Sequence, residues 1–187
     1  WCEEYIPLFR RSFRKLKIIY IIRDLRESIR SALNSHNLER TAVRPILYYI
    51  LYWKKSVKYS QANKKNILTI KYEDLQKNYE KNVNKIFKYC NLKKHQIKKL
   101  NDQYGNNWKN NSSFQKNKRT KLGKIEKKII EFFCYDELKT INYRVKKITD
   151  YKYQDIIKDL RKIDNKKNIP KKYKNYLNHE KIVRKLI

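Results

Sequence analysis

A short, uninterrupted apolar run is the strongest feature of the hydrophobic pattern. Residues 17–22 (KIIYII) are mostly β-branched or aromatic, which is typical of a strand buried on both faces in a parallel sheet. Asp24 follows, with Glu27 three residues later, a spacing that matches a capping box at the start of a helix. Apolar residues then recur at helical spacing, namely Leu25, Ile29, Ala32 and Leu33. Residues 17–36 therefore predict a strand, a tight turn and a helix.

A second strand is predicted at residues 66–72 (NILTIKY), and Glu73, Asp74 and Leu75 close it. A helix at 43–60 precedes it, with Pro45 tolerated in the first turn. A helix at about 78–90 follows it. The inward residues of these two helices are predicted to be Ile46, Tyr49, Ile50, Trp53 and Val57, and then Val83, Ile86, Phe87 and Cys90. This order requires a crossover connection, so we expect an α/β fold with a parallel sheet flanked by helices.

The remaining segments are read from the same pattern. Helical spacing predicts helices over residues 3–16 and 122–138, and the polar composition of residues 101–120 predicts a loop. Apolar residues of the later helix are Ile125, Ile129, Phe132 and Phe133. We expect two domains, a main one at 1–143 and a basic, mostly helical C-terminal extension at 144–187.

The positive charge is large but spread along the chain. Lys and Arg total 48 against 18 acidic residues, giving a formal net charge of +30. Such a charge favours nucleic-acid binding. However, the chain is also rich in Ile, Asn and Tyr, which share A/T-rich codons with Lys, so much of the charge is interpreted as compositional background. The 40% hydrophobic content is enough for a core and excludes global disorder.

Several other classes are excluded or disfavoured. The chain has no apolar stretch of about 18 residues, so no membrane span is predicted. Cys2, Cys90 and Cys134 lie far apart without CxxC spacing, which predicts reduced thiols and neither a disulfide scaffold nor a metal site. The chain contains no Met, and its Trp1 start is interpreted as a fragment or as a gene model lacking its beginning. We favour a cytoplasmic location, with the Golgi lumen as the alternative.

Arg23 and Ser31 are the first candidate ligand-binding residues. Ligands of open α/β sheets bind beyond the carboxyl ends of the strands, where Arg23 is expected. A guanidinium can hold a phosphate in a bidentate grip, and a hydroxyl eight residues later can add a hydrogen bond. In the alternative interpretation, Arg23 pairs with Asp24 or Glu27, and Ser31 is only a small helix residue.

The segment KIIYIIRDLRESIRSAL resembles the strand, turn and helix of sulfotransferases that use 3′-phosphoadenylyl sulfate (PAPS). In that family an Arg at the strand end and a Ser eight residues later bind the 3′-phosphate, which maps onto Arg23 and Ser31. Leu25 departs from the family pattern, which has Pro there. The resemblance implies a partial P-loop-NTPase-like sulfotransferase fold, from its C-terminal portion, over residues 1–143.

A second segment, ILTIKYEDL, is similar to the family strand that ends in Tyr-Glu-Asp-Leu near the adenine of the nucleotide. It maps that role onto Tyr72, which from the residues alone is equally a filler at the rim of the site. The later loop resembles the family's second 3′-phosphate loop, with its Arg-Lys pair and glycine. The pair maps onto Lys118 and Arg119 and the glycine onto Gly123, although a basic loop without this role is an equal alternative.

Two parts of the family site have no counterpart in these residues. The family holds the 5′-phosphosulfate in a Gly/Ser/Thr-rich loop with a Lys, and no such loop occurs here. The family's catalytic base is often a His, but His36, His95 and His179 do not stand where the motif puts it. We therefore assign no catalytic residue and expect the base and loop to lie upstream of Trp1.

The resemblance implies PAPS or adenosine 3′,5′-bisphosphate as the bound nucleotide, without a metal. The acceptor would be a hydroxyl or amine of a small molecule, carbohydrate or protein, and no specific nucleic acid is expected. Two alternatives remain, a basic nucleic-acid-binding module and a fragment of a P-loop kinase-like protein. Competition by adenosine 3′,5′-bisphosphate would separate the first alternative from a sulfotransferase.

Overall fold

The computed structural model describes residues 2–35, 45–93, 121–166 and 179–186. The predicted loop at 101–120, including Lys118 and Arg119, lies outside these residues. The first half of the described chain contains a 3-10 helix Cys2–Tyr5, α1 Ile6–Ser12, β1 Ile18–Ile22, α2 Leu25–Ser35, α3 Ile46–Ala62, β2 Ile67–Lys71, α4 Tyr72–Lys77 and α5 Tyr79–Cys90. The second half contains α6 Lys124–Phe133, α7 Tyr135–Thr140, α8 Tyr153–Lys166 and α9 His179–Leu186.

The chain divides into two compact units. The first comprises Trp1–Arg23 and Lys55–Gln115, and the second comprises Asp24–Lys54 and Lys116–Ile187. The boundary falls between β1 and α2 and again inside α3. None of the helices among the described residues is both long enough and apolar enough to cross a membrane.

The first unit contains the predicted parallel strand pair. β1 pairs with β2 in a register that runs from Ile18 opposite Ile67 to Ile22 opposite Lys71. The α/β class with a parallel sheet is therefore confirmed, although the structure is mostly helical around this small sheet. Buried apolar residues of the unit are Ile6, Ile22, Val57, Ile67 and Ile70.

The prediction that β1 is buried on both faces is wrong. Ile19 and Ile21 are 37% and 54% exposed, whereas Ile22 is 4% exposed. Successive side chains of a strand point to opposite faces, and only the face of Tyr20 and Ile22 is packed. A continuous apolar run does not distinguish one packed face from two.

The second unit has the larger core. α2, α6, α8, α9 and the first part of α3 contribute to it, with α6 in contact with both α2 and α8. Its fully buried residues include Ile29, Ile50, Ile130, Leu160 and Val183. Leu160 and Val183 belong to the predicted C-terminal extension, so this extension supplies core side chains to the same unit as α2 and α6.

The helices differ from the prediction in three places. The helix expected over 3–16 begins as a 3-10 turn and ends at Ser12, because Phe13 is extended. The helix expected over 122–138 is broken at Cys134, whose φ of −115° and ψ of 17° leave the helical region. The short helix α4 directly after β2 was not predicted.

Candidate functional site

Arg23 and Tyr72 meet where the two parallel strands end. Ile22 and Lys71 are the last paired residues of β1 and β2, so the residues that follow them leave the sheet at the same edge. The guanidinium carbon of Arg23 lies 4.8 Å from the centroid of the Tyr72 ring, within the range of a cation–π contact. The structure thus brings together two of the predicted site residues in the first unit, and both are partly exposed.

The stacked arrangement is compatible with phosphate binding by Arg23. In cation–π contacts a ring commonly lies against the face of a guanidinium, whereas a phosphate is bound through the N–H groups at its edge. Stacking also restricts a long side chain that would otherwise lose conformational entropy on binding. An aromatic ring and a fixed cation at one strand edge suit a ligand that combines a phosphate with a planar base.

A buried amide fixes the backbone on which Tyr72 lies. Asn82 is 4% exposed, and its side-chain nitrogen donates hydrogen bonds to the carbonyl oxygens of Asp74 at 2.8 Å and Asn78 at 3.0 Å. Asp74 lies within α4, and Asn78 lies between α4 and α5. Asn82 therefore holds α4, whose first residue is Tyr72, against α5. Sequence reasoning missed this residue, although an Asn next to Val83 on an inward helix face was a usable signal.

Asp24 caps α2 in the second unit, as predicted. Its carboxylate accepts a hydrogen bond from the backbone nitrogen of Arg26 at 2.9 Å. Glu27, the expected partner in the capping box, forms an ion pair with Arg30. Ser31 lies on α2, two turns beyond the cap, and is partly exposed. Because Ser31 and Arg23 belong to different compact units, their joint binding of a phosphate stays a prediction.

Arg26 is an internal cation that the sequence did not single out. Its guanidinium donates to both carboxylate oxygens of Asp24, to Glu131 at 2.7 Å and to the carbonyl of Arg144 at 3.0 Å. The hydrogen bond with Asp24, followed by the charges of Asp24 and Glu131, raises the pKa of Arg26 despite its burial. Arg26 thus ties α2 to α6 within the second unit.

Gly123 occupies the N-cap position of α6. Its φ is −64°, and its carbonyl accepts the backbone N–H of Lys127 at 3.0 Å. A Cβ at this position would meet the carboxylate of Glu126, the movable end of a flexible side chain. Neither the backbone angle nor the packing therefore requires glycine, and a role for Gly123 in phosphate binding stays a prediction.

The expectation that none of the histidines is the catalytic base stays a prediction. His36 and His95 lie outside the described residues, and His179 contacts Asp164 at 2.6 Å on α8. Within the described part of the chain, no group of three or more His, Cys, Asp or Glu side chains is arranged to hold a metal ion.

Comparison with known proteins gives one match. A family model described as "Sulfotransferase family" matches residues 3–96, which is half of the chain. The matched range includes Arg23, Ser31 and Tyr72, but it ends before Lys118, Arg119 and Gly123. No curated protein and no solved structure matches the chain.

Proposed function

Because the chain belongs to the sulfotransferase family, we propose that it takes part in the transfer of a sulfuryl group from PAPS to an acceptor. The acceptor is a hydroxyl or an amine. The residues of this chain provide the part of the site that binds the 3′-phosphate and the adenine of the nucleotide.

The observation that carries the proposal is the contact of Arg23 with Tyr72. The two side chains come from adjacent parallel strands and lie at the edge where α/β proteins bind ligands. Arg23 binds the 3′-phosphate through its N–H groups, and the ring of Tyr72 borders the adenine. Both residues lie inside the range matched by the family model.

Four further residues complete the proposed nucleotide site. Ser31 adds a hydroxyl to the 3′-phosphate from α2, as the family motif implies. Gly123 at the N-cap of α6, with Lys118 and Arg119 before it in the sequence, is proposed as a second phosphate-binding segment. Their assignment rests on the resemblance of the loop alone.

PAPS supplies the sulfuryl group, whose bond to the bridging phosphate oxygen breaks while the bond from sulfur to the acceptor oxygen or nitrogen forms. A base must remove the acceptor proton, and cations must stabilise the leaving phosphate. The 187 residues contain neither the loop with a Lys nor a His in the expected place. We expect this chain alone to bind the nucleotide and to show no measurable sulfuryl transfer.

The proposal is tested by calorimetric titration with adenosine 3′,5′-bisphosphate and, separately, with adenosine 5′-monophosphate. The Arg23→Ala variant should weaken binding of the bisphosphate by about tenfold or more, because a charge-assisted phosphate contact contributes about 1.5–3 kcal/mol. Binding of the monophosphate, which lacks the 3′-phosphate, should change much less. Arg11→Ala, which removes an exposed arginine from α1, is the matched control.

Equal losses for the two nucleotides, or equal effects of Arg23→Ala and Arg11→Ala, would contradict a 3′-phosphate site at Arg23. Sulfuryl transfer is measured separately with radiolabelled PAPS and a panel of phenol, amine and sugar acceptors. Turnover by the 187 residues would show that a base and a phosphosulfate site are present in them after all.

A further inference from the structure

A cavity of about 800 Å³ lies in the first unit, at the start of the two strands. Lys17 directly precedes β1, Asn66 directly precedes β2, and both line the cavity. Arg23 and Tyr72 follow the other ends of the same strands. Five residues of strand separate the two edges, a distance of about 16 Å. The cavity is therefore distinct from the proposed nucleotide site.

The lining of this cavity is strongly basic. Five of its residues are basic and none is acidic, the basic ones being Arg10, Arg14, Lys15, Lys17 and Lys65. Within the described residues, Arg10, Arg14, Lys15 and Lys65 form no ion pair. Like charges gathered around one concave surface repel each other, and the resulting positive potential attracts anions. Among the described residues, no carboxylate lines the cavity to neutralise this positive charge.

The back of the cavity is held in place by specific contacts. The ammonium of Lys17 lies 5.0 Å from the ring centroid of Tyr89, and the Tyr89 hydroxyl donates to the carbonyl of Asn66 at 2.9 Å. These contacts join α5 to the starts of both strands. Phe13 and Leu16 add an apolar side to the cavity. The cations therefore surround a formed cavity, unlike charges scattered over a flat surface.

We propose that this cavity binds a multiply phosphorylated ligand. Its volume lies within the range of small-molecule sites, about 300–1,000 Å³. Lysines bind phosphates as point charges, and arginines bind them in a bidentate manner. Five cations without a carboxylate match a compact ligand with several phosphates better than a single phosphate. The ligand is either a soluble phosphate ester or the phosphorylated headgroup of a lipid.

Inositol hexakisphosphate is the probe for the soluble case, and calorimetry at physiological salt is the measurement. In the cavity variant, Arg14→Gln, Lys15→Gln and Lys65→Gln are combined. In the control variant, Lys77→Gln, Lys81→Gln and Lys85→Gln are combined, which removes the same charge from exposed positions of α4 and α5. All six side chains are exposed, so both variants should fold, as circular dichroism and thermal unfolding will check.

The cavity variant should weaken binding by about tenfold or more, since three charge-assisted contacts are lost. The control variant should weaken it by less than about threefold, since its charges act only over long, screened distances. Equal weakening in the two variants would overturn the proposal, because diffuse attraction by the +30 chain would then account for the binding. No binding by the parent chain would exclude a soluble ligand, and the vesicle comparison then decides whether the proposal stands. The cavity variant should also keep its affinity for adenosine 3′,5′-bisphosphate, which separates this proposal from the nucleotide site.

Vesicle sedimentation tests the lipid case. Phosphatidylcholine vesicles containing phosphatidylinositol bisphosphate are compared with vesicles of equal charge containing phosphatidylserine. Preference for the bisphosphate lipid that is lost in the cavity variant supports the lipid headgroup as the source. Binding of soluble inositol hexakisphosphate without that preference supports a free ligand. If both vesicle types bind alike, the cavity variant changes neither, and inositol hexakisphosphate does not bind, the proposal fails.

Discussion

Arg23 and Arg26 lie three residues apart and carry the same side chain, but their surroundings give them different tasks. Arg23 stacks on the Tyr72 ring in the first unit. Arg26 lies between Asp24 and Glu131 in the second unit, and its side chain is 16% exposed. A guanidinium whose donors are taken by carboxylates stabilises the fold, whereas the one beside the Tyr72 ring is the proposed phosphate ligand.

The ring of Tyr72 should contribute to nucleotide binding through Arg23. Tyr72→Leu removes the cation–π contact, which is worth about 0.5–1 kcal/mol at exposed sites. We expect the affinity for adenosine 3′,5′-bisphosphate to fall about two- to fivefold in calorimetry. Tyr72→Phe keeps the ring and should bind nearly as the parent does. If Tyr72→Phe and Tyr72→Leu weaken nucleotide binding equally, the hydroxyl of Tyr72 and not its ring contributes to the affinity.

Glu3 should make the stability of the first unit depend on pH in the acid range. It is 8% exposed and accepts hydrogen bonds from Ser56 and Tyr20. Burial by itself raises the pKa of Glu3, but the hydrogen bonds from Ser56 and Tyr20 together lower it by more. The pKa of Glu3 in the folded protein therefore lies below the ordinary 4.5. This stabilisation is complete above pH 4.5 and is lost as the pH falls through the lower pKa of the folded state.

Glu3→Gln should accordingly lower the free energy of unfolding at pH 7 and lose that effect near pH 3. Urea unfolding across this range is the measurement. Glu80→Gln, at an exposed position of α5 in the same unit, is the control and should change little. A difference between Glu3→Gln and the parent that does not vary with pH would exclude this account.

At the scale of the elements, the start of α2 depends on one side chain with two functions. Asp24 is 8% exposed, caps the backbone of Arg26 and also pairs with its guanidinium. When Asp24 is removed, Arg26 keeps its ion pair with Glu131, so only part of the stabilisation around Arg26 is lost. The cap and the pair together explain why the helix begins directly after β1 and Arg23.

Asp24→Ala should reduce the free energy of unfolding by about 1–2 kcal/mol, the usual cost of removing an N-cap residue. Asp24→Asn keeps an oxygen for the cap and should lose clearly less. Denaturant unfolding of the two variants separates the stabilisation from the helix cap from that of the Asp24 charge. Equal losses would mean that the ion pair with Arg26, and not the cap, stabilises the helix start.

At the scale of the whole molecule, the lysine-rich end of the chain is also a source of core residues. Segment 144–187 has an excess of basic residues, yet Ile156, Leu160 and Val183 are each 0% exposed. His179 in α9 contacts Asp164 in α8 at 2.6 Å. The described Lys and Arg side chains of these two helices are exposed, so a high net charge and a packed core coexist in the second unit.

Val183→Ala should therefore destabilise the second unit by about 1.5 kcal/mol, because two buried methyl-sized groups are removed. Lys185→Ala, at an exposed position on the same helix, is the control. Thermal unfolding of the full chain measures both. If the two variants unfold at the same temperature, α9 does not stabilise the unit.

Much of the local structure could be predicted because its causes are local. The β-branched run at β1, the cap at Asp24 and the helical spacing of Leu25 and Ile29 act within a few residues. The break at Cys134 could not be predicted in this way, because the apolar spacing continues through it. The carbonyl-bonded Asn82 was missed for a similar reason, since its partners become clear only once α4 and α5 are folded together.

The sequence by itself determined the α/β class, the parallel strand pair and the placement of Arg23 and Tyr72 at strand ends. These follow from residue type, period and order along the chain. Only the tertiary structure decided that one face of β1 is exposed, that Arg26 is internal while Arg23 is stacked, and that five cations share a cavity at the opposite strand edge. Such features depend on contacts between residues that are distant in the sequence. The sequence does not distinguish the many lysines of this chain, because the neighbours of each lysine are set only by folding.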